Sequence, residues 1–435
     1  MEKPISIEYD RRGFYSKYYE KLMYLVIFLT VFFQLFPLHT GPFLVFYYFP
    51  YLIFAIIFFF QCLNIEPLKN IRNINIVYFY FICWLVWGLL TLFWHQSSDK
   101  SFFYINVRLM GLALFYTITQ FLTTENRFKT FENMILICIL FNLCFCLYEI
   151  VTLKHSPNSR YYNELHYIPT AAFNNQNDLP SVILICMPIL LFIKDTFKKY
   201  LAAFTMLFFM LIVIVQQTRS IMSVFFLFFL HHFIFKTNYL YKIIVIATLL
   251  ASFFIFYTKN PAFKYMFNKT IYRIDKAVSD DLADTQLSTS SEVRKRFYVI
   301  CANMFVDSYG MGVGIGNFEK ALNEDDVRGV IDAPPHTMFG EMLATEGLIG
   351  FGLLVLIVFS LLYPFVAKFK KGELNILKLT IKEKKALLFF FFFMVSTAIP
   401  ATPYYFTIYW SMLAYYYALL NTNDEGNINE NTIPI

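Results

Sequence analysis

The sequence predicts an all-α polytopic membrane protein with about 12 transmembrane helices and one long extracytoplasmic loop. Three observations carry this expectation. Only 15% of the 435 residues are charged, where about 25% is ordinary for a soluble chain. Apolar residues make up 58%, with 54 Phe among them. They also fall in runs close to the roughly 20 residues that cross a bilayer as helix. The runs lack strand alternation, and an open sheet edge would leave backbone groups unpaired in hydrocarbon. A soluble enzyme, a disordered chain and a secreted disulfide scaffold are excluded.

In chain order the runs are 22–38, 43–61, 76–94, 105–122, 133–153, 172–193, 200–217, 219–235, 239–257, 338–366, 386–400 and 402–420. The run 172–193 carries Pro180 and Pro188, and 386–400 is short. Lys and Arg set the expected orientation. The N-terminal segment 1–21 and the alternate loops after it hold 21 of them, seven between Lys368 and Lys385. The short loops of the other side hold Lys100, Lys154, Arg160 and Arg219. Both termini, including the tail 421–435, are therefore expected in the cytoplasm, and the first run reads as an anchor helix without a cleavable signal. Residues 258–337 become a large outer loop, and long loops cross regardless of charge. A loop of that length is expected to form a lid or substrate-binding unit.

Six of the seven cysteines lie in or beside apolar runs, and only Cys301 falls in a long polar segment. No disulfide framework follows, and no Cys/His cluster suggests a metal. Charges near the spans are few. Arg108 is expected in the first turn of the fourth span, Glu149 near the end of the fifth, and Arg219 in the turn Gln216–Ser220. A coupled transporter keeps ionisable groups at the bilayer middle. This pattern points instead to work at the outer surface.

Arg219 can either snorkel to lipid phosphates or grip a phosphate bidentately. Ser290–Tyr298 opens a helix whose Arg294, Lys295 and Arg296 either face water or meet a substrate. The run Gly310-Met311-Gly312-Val313-Gly314-Ile315-Gly316-Asn317-Phe318 is neither a P-loop nor a dinucleotide motif. Its glycines allow close backbone approach, or an array of N–H groups toward an anion. His336 follows Pro334-Pro335 at a helix start, where the dipole favours the neutral ring that can take a proton.

Together these residues resemble the O-antigen ligase/polymerase family. Arg294 stands eighteen residues before Gly312, the glycine run follows, and His336 stands eleven residues before Gly347 in Glu346-Gly347-Leu348-Ile349-Gly350. Asn174-Asn175-Gln176-Asn177-Asp178 and Gln217-Thr218-Arg219-Ser220 resemble the family's upstream signatures. The resemblance covers residues 170–365. It departs at Thr337, where many members have Asn.

The resemblance implies a metal-independent membrane glycosyltransferase of GT-C-like architecture, with no cofactor. The implied donor is a glycan on undecaprenyl pyrophosphate at the outer face of the bacterial cytoplasmic membrane, and the acceptor is a glycan hydroxyl. Arg219 and Arg294 would hold the pyrophosphate, and His336 would activate the acceptor. Asn177, Arg296 and Arg108 are the further candidates for substrate binding. Membrane lipids, a flippase and a chain-length regulator of the same pathway are implied partners, and nucleic acid is not. A polymerase of repeat units in a capsule, O-antigen or teichuronic-type polymer is favoured on family frequency. A ligase onto another acceptor and a lipid-linked sugar flippase are the alternatives.

Overall fold

The computed structural model describes residues 7–36, 76–94, 98–159, 161–162, 168–173, 177–193, 195–216, 290–322, 338–372, 379–397 and 407–421, with a few single positions between 247 and 268. All regular structure among them is helical. The helices are α1 (Ile7–Leu35), α2 (Ile76–Leu90) continued by a tight turn Thr91–Trp94, α3 (Ser98–Phe121), α4 (Glu125–Thr152), α5 (Asp178–Leu191) and α6 (Thr196–Gln216). Then follow α7 (Ser290–Asp307), the single turn α8 (Phe318–Ala321), α9 (Met338–Lys370), α10 (Ile381–Thr397) and α11 (Thr407–Asn421). Five stretches are long and apolar enough to span a membrane: Tyr18–Leu35, Ile76–Trp94, Lys100–Phe121, Glu125–Thr152 and Met338–Lys370. Asp178–Leu191, Tyr200–Val213 and Phe297–Asp307 are shorter apolar helices. The runs 43–61 and 219–235, and most of 239–257, lie outside the described residues.

The helix ends depart from the runs for a physical reason. Hydropathy marks where lipid-compatible side chains begin, whereas a helix continues through polar residues until its backbone is capped. Helix α3 starts seven residues before its apolar run and α4 eight residues before. At its C-terminus α4 closes on Leu153, whose left-handed backbone returns its N–H to the Glu149 carbonyl. The first expectation to be corrected follows directly. Arg108 is not in the first turn of its helix but ten residues in, about 15 Å along the axis at 1.5 Å per residue.

Helix α11 forms the centre. It packs on α3, α10, α1 and α5, and Ile408, Tyr415 and Tyr416 are fully enclosed. In lipid, helices are drawn together by close packing rather than by escape from water. Aromatic rings supply that packing here: Phe389 stacks on Tyr416 at 4.1 Å and Phe131 on Tyr415 at 5.3 Å. Gly111 of α3 presents bare backbone to the Trp410 indole of α11, and a Cβ there would run into the ring. Helix α9 lies against α2 on one side and α7 on the other.

Candidate functional site

The glycine run is a junction of backbones. Gly310, Gly312, Gly314 and Gly316 all have positive φ, between 77° and 96°. Gly312 lies so close to α9 that a Cβ would come within 2.5 Å of Gly347 N and Thr345 O, and one on Gly316 would lie 2.7 Å from Ser101 N. Of the two uses left open by the sequence, close approach is the one realised. The N–H groups from Gly310 to Ile315 donate within the protein. Gly310 and Met311 serve Phe305 and Ser308 carbonyls, and Gly312 serves the Ser308 hydroxyl. Val313 and Gly314 serve the Ala344 and Thr345 carbonyls at 2.9 and 2.8 Å, and Ile315 serves the Thr91 hydroxyl. The indole of Trp94 caps the Gly312 carbonyl, and the Ser101 hydroxyl caps that of Ile315.

Behind this junction lies a buried ion pair. Helix α9 is broken at Gly347, whose φ of 67° and ψ of −164° are not helical. Just before the break, the Glu346 carboxylate accepts from Arg108 of α3 and, at 2.9 Å, from the Trp84 indole of α2. The Glu346 carbonyl accepts from the Trp87 indole at 2.9 Å. The guanidinium of Arg108 lies 4.0 Å over the Trp84 ring, a cation–π contact. It fits because residue 88 is Gly: a Cβ there would sit 2.8 Å from Arg108 Nη1. Both charged side chains are enclosed, at 1% and 0% exposure. Arg108, a candidate for substrate binding, is thus engaged inside the fold. Glu346 was missed as a charge because it was read only as part of a glycine motif. The available signal was a carboxylate within the apolar run 338–366.

Helices α7 and α9 run side by side in the same direction. Cys301 lies within electrostatic reach of Glu341, Met304 shares a buried apolar cluster with Ala344, and Gly310 bonds to Leu348 N–H. Positions therefore rise together along both helices. Burial, with the Glu341 carboxylate adding to it, pushes the Cys301 thiol up to about 12, so this cysteine is an inert packing residue.

A second buried carboxylate lies at the end of α4. Glu149 accepts the backbone N–H groups of Thr170 and Ala171 at 2.8 and 2.7 Å, and its other oxygen meets His155 Nδ1 at 3.0 Å. The side chains of both partners are wholly enclosed. His155 is therefore part of a loop anchor.

Of the remaining candidates, Asn177 stands at the N-cap position of α5 without a side-chain cap, and its carbonyl accepts from the Ser181 hydroxyl at 2.8 Å. Asp178, next to it, is within electrostatic reach of Tyr409 on α11. Tyr409, Trp84, Trp410, Phe81 and Met338 line one apolar crevice between α2, α9, α10 and α11. Arg294 and Arg296 belong to the first two turns of α7. Arg219 and His336 lie outside the described residues, as do Asn174–Gln176. Helix α9 begins at Met338, two residues after His336.

Comparison with known proteins bears on this arrangement. Residues 201–355 match the family described as O-antigen ligase. The chain is also 24% identical over 357 residues to the teichuronic acid biosynthesis protein TuaE of Bacillus subtilis (strain 168), covering 76% of this chain and 69% of that protein. Both findings support the O-antigen ligase/polymerase family. The segment matched to the O-antigen ligase family includes Arg219, Arg294, Arg296, the glycine run, His336 and Glu346. Arg108, Asn177 and the Glu149 anchor fall before it. These likenesses, to an O-antigen ligase family and to a teichuronic acid biosynthesis protein, accompany five stretches long and apolar enough to span a membrane.

Proposed function

We propose that this protein is a glycosyltransferase at the outer face of the bacterial cytoplasmic membrane. It polymerises undecaprenyl-pyrophosphate-linked repeat units into a surface polysaccharide. The observation that carries the reading is the parallel packing of α7 on α9. Arg296 precedes Cys301 by five residues, and His336 precedes Glu341 by five. Arg294 and Arg296 belong to the first two turns of α7, and His336 stands two residues before the start of α9, the helix on which α7 packs. A guanidinium cluster facing a neutral imidazole is what the reaction needs. Arg219, Arg294 and Arg296 hold the donor pyrophosphate, and His336 takes the proton of the acceptor hydroxyl. The acceptor oxygen bonds to the anomeric carbon as the bond from that carbon to the phosphate oxygen breaks, and undecaprenyl pyrophosphate leaves. Asn177, at the start of α5, is the proposed polar contact on the far side of the donor.

The test is His336→Ala in purified membranes. Membrane insertion and donor binding should persist while transfer falls about 100- to 10,000-fold, the usual worth of a general base. Transfer by the unaltered protein should fall as the medium is acidified through the ordinary histidine range, since the protonated ring cannot accept. Near-normal transfer by the variant, or dependence on an added divalent ion, would overturn the reading. The family description names a ligase, and the lipid-linked product that accumulates without the protein separates the two activities. Single repeat units mean a polymerase, and long lipid-linked polymer means a ligase.

A further inference from the structure

Where α9 ends and α10 begins, the chain crowds its positive charge: seven lysines and two glutamates fall between Lys368 and Lys385. The described ends of this stretch, 368–372 and 379–385, form a fixed corner. Gly372, with a φ of 70°, closes α9, and its N–H donates to the Phe369 carbonyl at 3.0 Å. Thr380 and Glu383 cap α10 reciprocally. The Thr380 N–H donates to the Glu383 carboxylate at 2.9 Å, and the Glu383 N–H to the Thr380 hydroxyl at 3.3 Å. The other carboxylate oxygen of Glu383 accepts from Lys368, which ties the last turn of α9 to the first turn of α10. Lys385 is buried and donates to Glu132 of α4 at 2.6 Å.

Six lysines against one glutamate leave the described corner with a net charge of +5, and like charges held this close repel one another. Lys370 and Lys371 are exposed, and Lys382 and Lys384 are half-buried. Two large apolar side chains stand out beside them, Phe369 at 71% exposure and Ile381 at 46%. The stretch Met338–Lys370 is long and apolar enough to span a membrane, so its end at Lys370 falls at a membrane surface. Cations at that level, with an aromatic and an aliphatic side chain beside them, match the layered chemistry of a phospholipid, phosphate above acyl chain. We propose that this corner binds anionic phospholipid head groups, with Lys370, Lys371, Lys382 and Lys384 supplying the charge and Phe369 and Ile381 resting on the acyl chains. A lipid is favoured over a free phosphate because only a lipid covers Phe369 and Ile381. The inference stands apart from the transfer chemistry.

The experiment puts a photo-cross-linking phenylalanine analogue at position 369 and reconstitutes the full chain in vesicles of equimolar phosphatidylcholine and phosphatidylglycerol. Mass spectrometry reads the ratio of the two lipids captured. Phosphatidylglycerol should be in excess by about fivefold, the effect of even one surface lysine on an anionic lipid. The excess should shrink as salt screens the charges. In Lys370→Gln/Lys371→Gln/Lys384→Gln it should fall below about twofold, whereas Lys370→Arg/Lys371→Arg/Lys384→Arg should keep it, because head-group attraction here needs charge rather than a particular cation. The same analogue at position 359, where Phe359 is exposed ten residues earlier on α9, should capture both lipids equally. Equal capture at position 369, an excess unchanged in the glutamine variant, or capture of a second copy of the chain instead of lipid would overturn the proposal. So would an excess abolished by inorganic phosphate but not by chloride of equal ionic strength, which would mark a free-phosphate site. If the glutamine variant does not fold, the salt response and the contrast between positions 369 and 359 decide, and equal ratios at the two positions would overturn it.

Discussion

Two buried glutamates are neutralised in different ways. Glu149 is held by groups from residues 155–171, close in sequence and including two backbone N–H groups. Glu346 is held by Arg108 and Trp84, which are 238 and 262 positions away and lie on two other helices. The first closes a local loop and can form as soon as that segment is made. The second forms only when α2, α3 and α9 have assembled, so it reports the assembled bundle. A local anchor secures a loop, whereas a distant clamp can transmit position between elements.

The largest effect expected from breaking this comparison is at the clamp. Glu346→Ala leaves Arg108 buried without its counterion, a loss of about 3–5 kcal/mol. Reversible detergent titration followed by helicity would measure it. The loss should be largely recovered when Arg108 is also made Leu, because both charges are then gone. No second substitution can rescue Glu149 in this way, since its partners include the backbone itself. Glu149→Ala strands the Thr170 and Ala171 N–H groups and should cost about 1–3 kcal/mol. His155→Leu added to it should restore nothing. Recovery there would mean that the anchor is an ion pair like the other.

Cys301 sharpens the contrast from the α7 side. Its raised pKa and burial predict that maleimide labels it no faster than global unfolding allows. Rapid labelling in the folded protein would show that α7 is not seated on the start of α9, and the packing that carries the proposed function would lose its basis.

How much of this could be read beforehand follows the same division. Apolar runs located the helices because burial in lipid is a local property of side chains. They did not locate the helix starts, and Arg108 was misplaced by two turns for that reason. Proline before His336 marked the start of α9, and the serines before Arg294 marked that of α7. The Arg108–Glu346 pair was illegible because nothing in a single chain joins positions so far apart. The glycine run was legible as a motif but not as a contact. Its use depended on which backbones came near, and that is settled by α2, α3 and α9 together.

The smallest effect distinguishes glycines that serve contact from those that do not. Gly312 and Gly352 are separated by forty positions, and both adjoin α9 or belong to it. A Cβ on Gly312 would strike the backbone of Thr345 and Gly347 from a left-handed conformation. A Cβ on Gly352 would meet nothing within 4 Å, on a helical backbone. Alanine costs less conformational entropy than glycine in a helix, by about 0.5–1 kcal/mol. Gly352→Ala should therefore raise the detergent-titration midpoint slightly and leave transfer unchanged, whereas Gly312→Ala should lower both stability and transfer. If Gly352→Ala instead reduces transfer with its stability gain intact, then α9 beyond the break must bend during turnover. The clamp at Glu346 would then hold one position of a moving helix rather than a fixed one.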